Sequence, residues 1–302
     1  MQLGHQVILV NGARRSALYD LYRRRLVRIP EALASRIASN GGIDLSAAAL
    51  QSAVVQDLLT RRFIGNFGAL ADKGRLQFEM ASQAPLLPIL HTLTLESQGT
   101  WASQKEWVAA GVASGVRFVT VFAPSSEHAS IHASLQEISA SEGHIFCGFE
   151  LSSETATTWT QTSIYDANGE AFATRHRLTG DRAFPTKFRV DEQHYSLLRQ
   201  ASELTGHLFV DASLEARPHP LETTISFGSI LSHDPFTMVR SEGYKTVVDN
   251  RKDLREKCRV CELRLACVHP FADRINPDDI ASAPAGCRYD PEALATQTHL
   301  FE

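Results

Sequence analysis

No apolar run in this sequence approaches the ~20 residues that a membrane-spanning helix needs. The opening MQLGHQVILVNG has neither a basic n-region nor a cleavage site, so no secretory signal is expected and the cytoplasm is the expected location. Charge of one sign is not in excess. Thirty Lys and Arg against 34 Asp and Glu leave a net charge of -4, so no global field draws the chain to nucleic acid. A phosphate-cradling loop is missing: Gly68 to Gly74 ends in Gly-Arg where Lys followed by Ser or Thr is required. There is no nucleophile elbow and no HExxH. Cysteine is scarce, with five in 302 residues, which argues against a disulfide framework in a cytoplasmic chain. Hydrophobic residues make up 43%, enough for a sizeable core in two or three domains.

The scarce cysteines are concentrated. Four fall in the last 45 residues, and Cys147 stands alone. The tail reads KDLREKCRVCELRLACVHPFADR and then SAPAGCRYDPE, giving Cys258-x2-Cys261-x5-Cys267 with Cys287 returning after a loop. A CxxC turn places two thiolates on one side of a metal with backbone amides directed at the sulfurs, and two more cysteines complete a four-sulfur shell. That shell suits Zn²⁺ or a [4Fe-4S] cluster, and both stay open. Lys252, Arg255, Lys257, Arg259 and Arg264 would offset the charge of four thiolates. His269 is expected near the centre rather than in it. His128 and His132 form a second, weaker metal face at i, i+4 beside Glu127, with no evident third ligand.

Ahead of the tail, three rhythms succeed one another. Residues 6 to 30 alternate as strands on either side of Arg23-Arg24-Arg25, which predicts a β-hairpin. Helices follow over 31–38 and 50–63, making a winged-helix-like module of residues 1–80. In 81–205, strands at 86–95, 116–122 and 144–151 alternate with helices at 103–114, 127–141 and 195–204. This is the pattern of βαβ units and a parallel sheet, a degenerate and partial (β/α) barrel. Thr155 to Arg175 reads as a hairpin turning at Asp166-Ala167-Asn168-Gly169, and 207–227 as another around Arg217-Pro218-His219-Pro220. Residues 206–302 complete an α/β chain with a small metal-binding lobe, whose metal would supply folding energy.

The cysteine run resembles a SPASM domain, the cluster-binding extension of many peptide-modifying radical-SAM enzymes. The resemblance implies that Cys258, Cys261, Cys267 and Cys287 hold the family's second auxiliary [4Fe-4S] cluster. Its first auxiliary cluster has no counterpart, because no cysteine lies between Phe209 and Ile230 or in Val268–Phe271. The CxxxCxxC of radical-SAM catalysis is also missing, so SAM is not an expected cofactor. These departures resemble the SPASM-domain peptide maturases of the grasp-with-spasm type, as do Val10-Asn11-Gly12-Ala13-Arg14-Arg15, Phe227-Gly228-Ser229-Ile230, the CxxCExR run and Gly286-Cys287-Arg288-Tyr289-Asp290-Pro291. The N-terminal module resembles a recognition element for the leader peptides of ribosomally made natural products. Those resemblances imply a leader peptide and an ATP-grasp ligase as partners. They also imply a peptide adding to a strand edge, near Arg14, Arg15, Tyr19, Tyr22, Arg25, Val27 and Arg28. Three roles compete: a non-catalytic scaffold that presents a precursor peptide, a SAM-independent metal enzyme acting on peptides, and a winged-helix regulator of nucleic acid.

Overall fold

The computed structural model describes residues 1–4, 6–37, 42–67, 90–141, 148–152, 159–161, 176–177, 188–220, 222–267, 274–285, 287 and 289–293. Cys147, the Gly68–Gly74 stretch, His269 and the turn at 166–169 lie outside the described residues.

The N-terminal part opens with β1 (Gln2–Leu3), followed by β2 (Val7–Asn11), β3 (Arg15–Asp20) and β4 (Arg25–Pro30), which form an antiparallel sheet in the order β2-β3-β4. Three strands stand where the sequence predicts a two-stranded hairpin. The chain reverses at Asn11-Gly12, a turn signal within 6–22, and the Gly12 amide donates to the Arg15 carbonyl at 2.8 Å. Helices α1 (Glu31–Ala34), α2 (Ala47–Leu50) and α3 (Ala53–Thr60) follow, and then β5 (Ile64–Gly65), which pairs with β1. The Ser52 hydroxyl caps α3 by accepting from the Val55 amide. Leu18, Ile29, Val55, Leu58 and Phe63 close a small core between sheet and helices.

The middle of the chain supplies β6 (Thr92–Glu96), α4 (Trp101–Ala113), β7 (Phe118–Phe122), α5 (His128–Ser141), β8 (Gly148–Ser152), β9 (Trp159–Gln161), β10 (His176–Arg177) and α6 (Glu192–Gln200). The next elements are β11 (His207–Val210), β12 (Glu215–Arg217), β13 (Gly228–Ser229), α7 (Pro235–Met238) and α8 (Glu242–Asp249). One six-stranded sheet runs β13-β12-β11-β6-β7-β8, with β11, β6, β7 and β8 mutually parallel and β12 and β13 antiparallel. Strands linked through helices and pairing in parallel make this a mixed α/β fold, as the alternating pattern predicts. Leu93, Leu95, Val119 and Val121 are the fully buried centre of the sheet, covered by Val108 and Val112 of α4 and Ile131 and Leu135 of α5. Thr92, Thr94 and Thr120 on the alternate positions are buried as well, so these strands are covered on both faces, as parallel strands typically are.

Two details differ from the sequence expectation. The hairpin after β11 turns at Asp211–Leu214, not at Arg217–Pro220. The Asp211 carboxylate accepts from the amides of Ser213 (2.9 Å) and Glu215 (3.0 Å), so an Asp side chain rather than a proline makes the bend. The six-stranded sheet also runs straight across residue 206. β11 pairs with β6, tying the stretch assigned to the C-terminal lobe into the central sheet. No helix among the described residues is long and apolar enough to cross a membrane.

Candidate metal centre

Beyond α8 the described chain has no regular element longer than the single turn Cys258–Val260. Polar contacts hold the segment in place. Arg255, 2% exposed, grips the Glu203 carboxylate with both terminal nitrogens at 3.0 and 3.1 Å and also donates to the Asn250 carbonyl. Burial alone would push the Glu203 carboxyl up. The neighbouring Arg255 and Lys252 cations reverse this and bring it down to about 2. Arg274 pairs with Glu222 at 2.9 Å, again with both side chains buried. Cations so deeply placed need partners, and these pairs supply them.

Within this frame Cys258, Cys261, Cys267 and Cys287 line one cavity, about 430 Å³ including its open mouth, together with Lys252, Lys257 and Tyr289. None of the four is joined in a disulfide. The sequence therefore brings together side chains from three separate stretches, and the later cysteine returns to the CxxC turn. Backbone and cations are arranged around the sulfurs. The Leu263 amide donates to Cys261 Sγ at 3.4 Å. Lys252 Nζ donates to the Cys267 carbonyl, Lys257 Nζ to the Cys287 carbonyl at 2.6 Å, and Arg264 to the Cys261 carbonyl at 2.8 Å. Lys257 itself has φ 57° and ψ -46°, close to a γ-turn that few non-glycine residues adopt, and the Cys258 amide closes it onto the Glu256 carbonyl. Burial pushes the Cys258 thiol up to about 11 and raises those of Cys261 and Cys287, with Lys252 and Lys257 opposing the effect at Cys258 and Cys287 respectively. Without a metal these sulfurs hold their protons. A metal that binds them must displace those protons.

The donor set fits a thiolate-bound metal group: four sulfurs on one cavity, an amide on a sulfur, and three cationic side chains fixed to cysteine carbonyls. Among the described residues no group of three His, Cys, Asp or Glu side chains is drawn together as for a single ion.

The other predicted site residues are placed as follows. Tyr19 was expected to face a peptide. It is fully buried, and its hydroxyl donates to the Glu262 carbonyl at 2.7 Å, in the seam between the N-terminal sheet and the cysteine loop. Burial is also the first cause that pushes its hydroxyl well above the ordinary tyrosine range. Arg15 donates to the Ala293 carbonyl, and Arg25 binds both Asp20 (3.1 Å) and the Arg61 carbonyl (2.7 Å) while lying over the Phe63 ring. Val27 and Arg28 are half-buried on β4, whereas Arg14 and Tyr22 are exposed, Tyr22 at 74%. His128 and His132 serve packing: His128 bonds the Ala123 carbonyl, and the His132 ring meets Phe149 edge-on.

Two residues of the seam had no role in the sequence reading. Glu262 is wholly buried, one oxygen accepting from the Tyr289 hydroxyl. Gly12 sits so close that an added Cβ would lie 2.8 Å from the Glu262 nitrogen. Each meets a partner about 250 positions away, which no local sequence signal announces. Comparison with protein-family models, curated proteins and solved structures finds no match for this chain.

Proposed function

We propose that this protein is a metal-bearing, non-catalytic scaffold that captures an extended leader peptide and presents it to maturation enzymes such as an ATP-grasp ligase. The observation that carries the metal half is the convergence of Cys258, Cys261, Cys267 and Cys287 on one cavity. Four cysteine sulfurs suit a [4Fe-4S] cluster and Zn²⁺ alike. If bound, either group would cross-link a segment with almost no regular structure and supply folding energy to it.

The peptide half draws on β4. It is an edge strand of the N-terminal sheet, so an incoming chain can add main-chain hydrogen bonds along Arg25–Pro30. We read this sheet with α3 as a winged-helix-like recognition module, and β6, β7, β8 and β11 as the remnant of a (β/α) barrel. Arg14 is exposed at the β2–β3 turn, and Tyr22 and Arg24 at the β3–β4 turn, so an acidic peptide lying along the sheet would meet positive charge at both ends of the strand. Arg25, Val27 and Arg28 would meet the peptide on the strand itself. This reading makes the protein a binder, located in the cytoplasm.

Fluorescence polarisation with a labelled acidic leader-type peptide tests it. Saturable binding that weakens with salt is expected. No binding at low salt rejects the scaffold role, and a change in the peptide's mass on incubation with the metal-loaded protein replaces it with the enzyme reading.

A further inference from the structure

The two ends of the chain meet at the cysteine loop. The turn Asn11–Arg15 between β2 and β3 lies directly on residues 260–264. The Ala13 amide donates to the Val260 carbonyl at 2.8 Å. Arg264 bridges the Asn11 carbonyl and the Cys261 carbonyl, both at 2.8 Å. Tyr19, on the central strand, donates to the carbonyl of Glu262, the residue immediately after Cys261. Gly12 is as close as backbone allows, since a Cβ there would meet the Arg15 oxygen at 2.7 Å and the Glu262 nitrogen at 2.8 Å. Val10, Ala17, Tyr19 and Leu21 share one apolar cluster with Leu265 and Ala266. The cysteine loop therefore has the N-terminal sheet as one of its walls.

We propose that Gly12 and Tyr19 are positioning residues of the metal centre, so that loading the four cysteines locks the N-terminal sheet and the sheet in turn tightens the metal. The proposal rests on the cysteine-centre reading but not on peptide binding. Its physical basis is linkage. Whatever fixes the geometry of the loop also stabilises the turn packed on it, and by the same factor in return. Both partners are backbone-to-backbone or buried contacts, which transmit a displacement rather than absorb it.

The test uses the full chain under reducing, anaerobic conditions, with Zn²⁺ as the probe. Hydrogen exchange is followed over residues 7–20 in the stripped and loaded protein, and Zn²⁺ affinity is measured by chelator competition for the wild type, Gly12→Ala and Tyr19→Phe. Loading is expected to slow exchange in 7–20 by about 5- to 150-fold, with each substitution weakening Zn²⁺ by a factor in the same range. The rise in thermal midpoint on loading also shrinks in both variants, whereas a purely structural defect lowers stripped and loaded midpoints alike. Tyr19→Phe keeps the ring in place and serves if Gly12→Ala fails to fold. Zn²⁺ binding with unchanged exchange in 7–20 overturns the coupling and leaves the metal centre standing. No Zn²⁺ binding, together with no iron or sulfide in the anaerobically purified chain, overturns the metal centre, and the coupling with it.

Discussion

Glu203 and Arg255 lie at opposite ends of a decision about charge. Glu203 loses its hydration on burial, and only the two-point grip of Arg255, reinforced by Lys252, keeps it ionised. Removing one partner of such a pair leaves an uncompensated buried charge, which costs far more than the pair contributes. Arg255→Met is therefore expected to destabilise the fold by about 3–5 kcal/mol, read from the shift in a urea transition. A loss below about 1 kcal/mol shows that the carboxylate is relieved by solvent instead. Burial of the cysteines is a related matter. Burial raises the thiols of Cys258, Cys261 and Cys287, and Lys252, Lys257 and Arg264 donate to the carbonyls of Cys267, Cys287 and Cys261, so positive charge is already in place for the thiolates a metal would create. From sequence the spacing of the four cysteines and the surrounding basic residues could be read directly. The buried Glu262 and the close approach of Gly12 could not, because each depends on a partner some 250 positions away that no local pattern reveals.

Among the elements, helix starts show what capping adds to periodicity. α6 was expected to begin at Tyr195 from its apolar residues but starts at Glu192, because the Asp191 carboxylate accepts from the His194 amide at 2.9 Å. Asp191→Ala should cost about 0.5–2 kcal/mol in thermal or denaturant unfolding. No change in stability would mean that the cap is replaced by water. The parallel strands are legible because β-branched and aromatic residues cluster in β6, β7 and β11 between helical stretches. The N-terminal sheet is a three-stranded meander rather than a hairpin because the polar stretch at Asn11-Gly12, a turn signal in its own right, splits residues 7–20 into β2 and β3. At this scale the binding edge has its own test. Exchanging the exposed Arg14 and Arg24 for glutamate is expected to weaken an acidic leader peptide severalfold at low salt and to flatten its salt dependence, while leaving stability unchanged. Equal affinity for the variant at every salt concentration removes electrostatic capture from the account.

The whole molecule should be sensitive to acid. His207 is buried between Thr94 and the Pro218 carbonyl, and His194 lies buried beside Lys252 and Arg189; burial first, and then these neighbouring cations at His194 and His219 at His207, hold both down to about 3. A histidine whose pKa is lower when folded takes up its proton on unfolding. Its contribution to stability is therefore complete above pH 6.5 and is lost as the pH falls from there toward 3. Glu203, also depressed, adds to the loss below about pH 4.5. The folding free energy is expected to fall by about 1.4 kcal/mol per histidine for each pH unit below 6.5, seen as a falling urea midpoint between pH 7 and pH 5. A midpoint that is flat over that interval contradicts the buried-neutral assignment. The central sheet recruits β11 to β13 from beyond residue 205, and the N-terminal sheet leans on the cysteine loop, so the lobes share walls.

Metal analysis of anaerobically purified protein, with a visible spectrum, compared between the wild type and a variant with Cys258, Cys261, Cys267 and Cys287 all changed to serine, bears most directly on the role given to these four residues. One zinc, or four irons with four sulfides and a broad visible band, is expected per wild-type chain, and none in the variant. Equal metal in both proteins, or none in either, means that the sulfurs lining this cavity serve some other purpose.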